Sequence, residues 1–256
     1  MNNIISFMSN RVWLKKDSTS VPTPIIKHIP DWYREADRFA KMPNGEYYIA
    51  GPNEICPHPK EGTTDDYGKM PTWKACPAVF DVLGTGYSLN LPCDIEFIQK
   101  DEKTLTVNIE DKQYKDFCTP RPPMQQFKHP MGYYENHFAW FYDWAIKTPP
   151  GYSVLVTQPF NRFDLPFLNT SGIIDTDKVH YPGSLPFFIA KGWSGTLKAG
   201  TPFAQIFPFK REDWSSEIVI ENPLNMLTNN RKNSDIYRVP DGGVYKNKVW
   251  SRRKYE

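Results

Sequence analysis

The chain has 256 residues, a net charge of +2, 39% hydrophobic and 15% aromatic residues, and 24 prolines. So small a net charge gives no reason to expect nucleic-acid binding by the chain as a whole. No apolar run approaches the roughly 20 residues of a membrane span, and the start MNNIISFMSNRVWLKKD has no basic end leading into an apolar stretch, so neither membrane nor secretion is expected.

This length can bury a sizeable core, and the sequence is read as one large β domain with elaborations. Abundant aromatics and prolines favour strands and rigid loops over long helices. Cys56, Cys76, Cys93 and Cys118 lie far apart with no Cys-x-x-Cys pair, which fits reduced thiols in a cytoplasmic protein.

In chain order, Ile4 to Met8 reads as a short strand, and Val21-Pro22-Thr23-Pro24 as an extended arm, because two prolines forbid a regular helix. From Pro30 to Phe39 a short amphipathic helix is expected, capped by Asp31, with Trp32, Ala36 and Phe39 on one face. Residues 42–74 read as a long irregular loop, followed by a short apolar segment from Trp73 to Asp81. Gly86–Leu91, Ile95–Ile98 and Leu105–Ile109 alternate with period two and read as strands. The aromatic-rich stretch 110–145 is expected to form a satellite core under an insertion rather than a ligand-stacking surface. From 146 to 209, apolar clusters alternate with Gly, Pro, Asn and Asp breakers at intervals near ten residues, the rhythm of a β-sandwich or barrel. Short helical turns are expected at Arg211–Trp214 and Pro223–Leu227. The terminal Lys246, Lys248, Arg252, Arg253 and Lys254 form a basic tail, the one place where nucleic acid could be touched, although a solvated terminus explains it more simply.

Four segments then carry a resemblance: Pro150-Gly151-Tyr152, Pro159-Phe160-Asn161, Gly172-Ile173-Ile174-Asp175 and Gly200-Thr201-Pro202-Phe203-Ala204-Gln205. In that order they resemble the strand motifs of the dUTPase and dCTP deaminase superfamily. The resemblance implies a mainly β, dUTPase-like (β-clip) core over about residues 78–210. An arm, short helix and loop (1–77) would precede it, and an extension with the basic tail (211–256) would follow. It also implies a homotrimer with a nucleotide-like ligand between subunits. Asp175 would be the carboxylate that orients the attacking water, and Tyr152, Asn161, Arg162, Gly172 and Gln205 would contact the ligand. A carboxylate at a strand end is suited to accept a proton from water. An Asp-Thr-Asp turn that merely bonds nearby backbone groups explains the same residues equally well.

The departures point away from hydrolysis. Thr85-Gly86-Tyr87-Ser88-Leu89 aligns with the segment that supplies the magnesium carboxylate, and a neutral Ser88 is a poor ligand for a hard divalent ion. Pro159 lacks the N–H that a phosphate-gripping loop needs. Pro202 replaces the family's arginine, and Asp241-Gly242-Gly243 is a faint echo of its Gly-rich tail. Asp164 and Arg162 are not in the deaminase pattern. Zinc at Cys56, His58 and Cys76 lacks a fourth ligand. No His is followed two residues later by an acid, and no Gly-x-Ser-x-Gly, P-loop or dinucleotide fingerprint occurs. No metal or cofactor is therefore expected, and the chain reads as a non-hydrolysing binder of a nucleotide-like ligand or of another protein. The alternatives are a viral structural or assembly protein, in host cytoplasm or virion, and a nucleotide-processing enzyme with a rearranged site. The pattern also resembles a family of bacteria and their viruses to which no activity is attached.

Overall fold

The computed structural model describes residues 3–49, 69–121, 128–220, 222, 224–225 and 250–256. The chain divides into two compact units, one formed by residues 1–28, 85–212 and 255–256 and the other by 29–84 and 213–254. The chain is mainly β, as its rhythm predicts, and every strand among the described residues belongs to the first unit. They are β1 (Ser6–Met8), β2 (Thr23–Pro24), β3 (Tyr87–Asn90), β4 (Ile95–Gln99), β5 (Leu105–Asn108), β6 (Cys118–Pro120), β7 (Phe138–Phe141), β8 (Ala145–Lys147), β9 (Tyr152–Thr157), β10 (Phe167–Asn169), β11 (Gly172–Ile174), β12 (Ser184–Ile189), β13 (Gly195–Leu197) and β14 (Pro202–Lys210).

All pairings between them are antiparallel. A five-stranded sheet runs β11-β9-β14-β3-β2, a four-stranded one β10-β12-β7-β6, a three-stranded one β13-β4-β5, and β1 pairs with β8. The nine-residue β14 is the spine of the largest sheet. Its C-terminal half pairs with β9, from Gln205 opposite Thr157 to Lys210 opposite Tyr152, and its N-terminal half pairs with β3. Gly86, just before β3, has φ +85°, and a Cβ there would lie 2.1 Å from the Ile206 carbonyl oxygen. Only glycine admits both that backbone conformation and that approach.

The core corrects the expectation for residues 110–145. Rather than a satellite cluster, this stretch supplies the centre of the principal core. Trp140 on β7 is fully buried, and its ring lies parallel to that of Phe187 on β12 at 3.7 Å between centroids. Phe138, Phe97, Phe167 and Phe203 complete the cluster. The indole N–H donates to Asn169 Oδ1 (3.0 Å), and the same amide donates to the Phe203 carbonyl (2.6 Å), so the polar atoms of this apolar layer are satisfied. Emptying such a position by Trp140→Ala would cost about 3–5 kcal/mol.

The second unit holds α1 (Asp31–Glu35), a 3-10 turn at Trp73–Ala75 and α2 (Pro77–Gly84). Two sequence expectations are corrected here. Pro30, not Asp31, is the capping residue of α1, and no side chain caps it. The helix stops at Glu35 because Ala36 turns to extended geometry, so Ala36 and Phe39 do not share its face, and Phe39 instead bridges Pro71. The apolar segment from Trp73 is helical, with Pro77 at a helix start, where its missing N–H costs nothing. The Lys74 ammonium donates to the Tyr33 and Arg34 carbonyls (2.6 and 2.9 Å), satisfying acceptors that the short α1 leaves open. Phe80 packs edge-on against Trp250, whose indole N–H donates to Asp81 (2.8 Å). Residues 211–214 form no helix. Of the turn expected at 223–227, Leu224 and Asn225 are helical and the rest lies outside the described residues, as do Cys56, His58, Asp241-Gly242-Gly243, Lys246 and Lys248. No helix among the described residues is long and apolar enough to cross a membrane.

Candidate functional site

The segments that carry the resemblance meet in one sheet. Gly172–Ile174 is β11, Pro150-Gly151-Tyr152 opens β9, Pro202–Gln205 opens β14, and Tyr87-Ser88-Leu89 lies on β3. Pro159-Phe160-Asn161 forms the turn after β9, where Asn161 has φ +55°, a left-handed conformation that asparagine tolerates better than most residues.

At the start of β9, Pro150 and Gly151 form a tight turn closed by the Tyr152 N–H on the Pro149 carbonyl (3.2 Å), with Gly151 at φ +84°. The Asp-Thr-Asp run after β11 lies against this turn. Asp175 Oδ1 accepts from the buried Ser153 hydroxyl (2.7 Å) and from Arg211 (3.2 Å), and Lys178 stands 3.8 Å from its other oxygen. Asp177 accepts from the Gly151 N–H (2.8 Å) and takes Arg211 on both of its oxygens. Arg211 also donates to the Tyr152 carbonyl and the Ser153 hydroxyl (3.1 and 2.8 Å), and the Thr176 hydroxyl bonds that of Thr148 (2.7 Å). The Ser153 hydrogen bond, with the Arg211 charge behind it, holds the Asp175 carboxyl below the usual carboxylate range. Asp177 is held well below it by the Arg211 hydrogen bonds and the Gly151 N–H. The Asp175 side chain remains 44% exposed, whereas that of Asp177 is 8% exposed.

The other sequence-chosen residues lie at the far end of β9. Gln205 is buried, accepts from the Phe160 N–H (2.9 Å) and donates to the Thr85 carbonyl (2.6 Å). Arg162 forms a two-pronged pair with Asp164 (2.8 and 2.7 Å) and reaches the His28 carbonyl (3.3 Å). Gly172 is opposite Val156 and exposed, with open space where a side chain would stand. Tyr152, by contrast, sits at the Asp175 end, and its hydroxyl accepts from Asn3 (2.8 Å). Along a strand rising about 3.3 Å per residue, the positions of Tyr152 and Thr157 are roughly 17 Å apart. Within one chain the structure therefore brings Tyr152 together with Asp175, and Asn161 and Arg162 with Gly172 and Gln205, but does not bring the two sets together.

Arg211 is the residue that sequence reasoning missed as part of this site. Its position directly after a strand ending in Phe209-Lys210 was visible, but its partners depend on the register that sets the Arg211 N–H on the Gly151 carbonyl (2.9 Å). A magnesium ion does not fit the residues at the aligned position. Ser88 is fully buried and its hydroxyl donates to the Thr23 carbonyl (3.2 Å), so it offers no anionic oxygen. Among the described residues, no cluster of His, Cys, Asp or Glu could hold a metal.

Comparison with known proteins adds little to this geometry. No family model matches the chain, and no curated protein does. Among solved structures, the native EIAV dUTPase is similar at 17% sequence identity over 54% of this chain and 85% of that one, with a TM-score of 0.29, a likeness too slight to argue from.

Proposed function

We propose that this chain is a binding protein on a dUTPase-like sheet, which takes a nucleotide-like ligand without hydrolysing it and works as a homotrimer in the cytoplasm. The observation that carries the reading is the Asp175–Ser153–Arg211 arrangement. The carboxylate that the resemblance assigns to water activation is spent on hydrogen bonds that fix a turn and is stabilised in its charged form, which makes it a weak base. The metal carboxylate is replaced by a buried hydroxyl. Tyr152 with Asp175, and Asn161 and Arg162 with Gly172, are proposed as ligand-facing sets, with the buried Gln205 fixing the Phe160 turn behind the second. Because they stand at opposite ends of β9, a single ligand touching both needs sets from different subunits, which is why the trimer belongs to the proposal.

The test is thermal unfolding with and without each deoxynucleoside triphosphate, beside an assay of pyrophosphate release with Asp175→Asn as control. A raised Tm with no release supports the reading, since a ligand held only by the native state stabilises it. Release that Asp175→Asn abolishes would show an enzyme.

A second reading, an assembly role in a virion or other protein complex, is favoured by one observation. The segment 214–220 exposes Trp214 (88%), Ile218 (92%) and Ile220 (93%), an apolar run of the kind that partner proteins cover. No Tm shift with any nucleotide, together with a concentration-dependent oligomer lost on Ile218→Asp with Ile220→Asp, would establish that reading instead.

A further inference from the structure

We infer that a nucleotide is held in a recess of the first unit lined by Trp13, Phe141 and Tyr181 and by Lys112 and Lys115. The inference rests on the ligand class proposed above and adds a second seat for it, apart from the Asp175 turn. The recess measures about 1040 Å³, at the upper end of the roughly 300–1,000 Å³ of small-molecule sites. Its three rings are 42%, 42% and 73% exposed. The exposed Phe141 and Tyr181 rings around one concavity offer apolar surface on which a base can stack.

The walls are built rather than incidental. Trp13 carries the Arg11 guanidinium 5.1 Å over its ring. Phe141 is fixed by its N–H on the Phe117 carbonyl (2.7 Å). The loop bearing Tyr181 is drawn against the floor at Gly183, where a Cβ would lie 2.5 Å from the Tyr142 hydroxyl, so a larger residue there would have to displace that ring.

The charges select an anion. Arg11 is neutralised by Asp143 (2.8 Å), which removes one charge of each sign. Among the described residues Lys112 and Lys115 form no ion pair, and Asp116 is the only remaining carboxylate of the lining. Two ammonium groups against one carboxylate leave the recess net positive beside its ring faces. A flat ring joined to phosphates matches both halves.

Isothermal titration calorimetry of the full chain with deoxynucleoside triphosphates and with the parent nucleosides tests this. Tyr181→Ala, at the most exposed ring, should weaken Kd for the triphosphate about 5-fold or more without changing Tm. Lys112→Gln with Lys115→Gln should erase the preference for triphosphate over nucleoside. If instead triphosphate binds and both variants bind within twofold of the unmodified chain while Arg162→Ala or Asp175→Asn does not, the recess is not the seat and the nucleotide reading stands without it. No heat from any nucleotide would overturn both.

Discussion

The two ends of β9 solve the same problem, tethering a turn to the β14 strand, by different means. At the Thr157 end a neutral, buried amide, Gln205, joins the Phe160 N–H to the Thr85 carbonyl. At the Tyr152 end a partly exposed guanidinium, Arg211, gathers two carboxylates, a hydroxyl and a carbonyl. A neutral bridge away from water keeps its strength whatever the pH or salt, whereas a charged one in contact with solvent is tuned by both. The first end is therefore scaffold, and the second is the end that solution conditions can loosen.

The largest break should come from Gln205→Ala, which strands a buried carbonyl and an N–H and is expected to cost about 2–4 kcal/mol in urea unfolding, the same at low and high salt. Arg211→Ala should do less, lowering Tm by on the order of a few degrees, and 0.5 M NaCl should shrink that difference because the network is open to screening ions. A pH series sharpens the contrast. Asp175 and Asp177 have folded-state pKa values depressed by Ser153 and Arg211 respectively, so their contribution is full above about pH 4 and is lost as pH falls through the folded values. Unfolding midpoints followed from pH 6 to pH 2 should fall less steeply in Asp177→Asn than in the unmodified chain, while Gln205→Ala should keep the unmodified slope. The smallest effect belongs to Lys178→Ala. Its ammonium is 67% exposed and 3.8 Å from Asp175, and removing it should change stability by less than about 0.5 kcal/mol.

The same contrast marks how far the sequence could be read. Strands such as Tyr152–Thr157 were legible because β-branched and aromatic residues alternate between Pro-Gly and Pro-Phe-Asn breakers. The order of the motif segments also anticipated their meeting in one sheet. Trp140 was legible as buried but not as central, since centrality depends on which sheets face each other and not on local pattern. Helix α2 escaped because eight residues with Cys-Pro at the front leave too short a window for a 3.6-residue period to stand out. Gln205 and Arg211 were both on the page as residues. The difference between a ligand contact and a bridge to Thr85, or between a bystander and the hub of two carboxylates, lies in strand register, which no single segment encodes.

One connection has a practical side. Residues 29–84 leave and re-enter between β2 and β3, which are antiparallel neighbours, and the Ile25 N–H already bonds the Gly86 carbonyl (3.0 Å) across the gap. In chain order, more than fifty residues are inserted between the two strands of a hairpin. A short Asn-Gly or Gly-Asn linker could bridge that gap, because closing a brief hairpin costs less entropy than closing a long loop. The sheet is thus a chassis from which this part of the second unit could be excised, or onto which another module could be grafted.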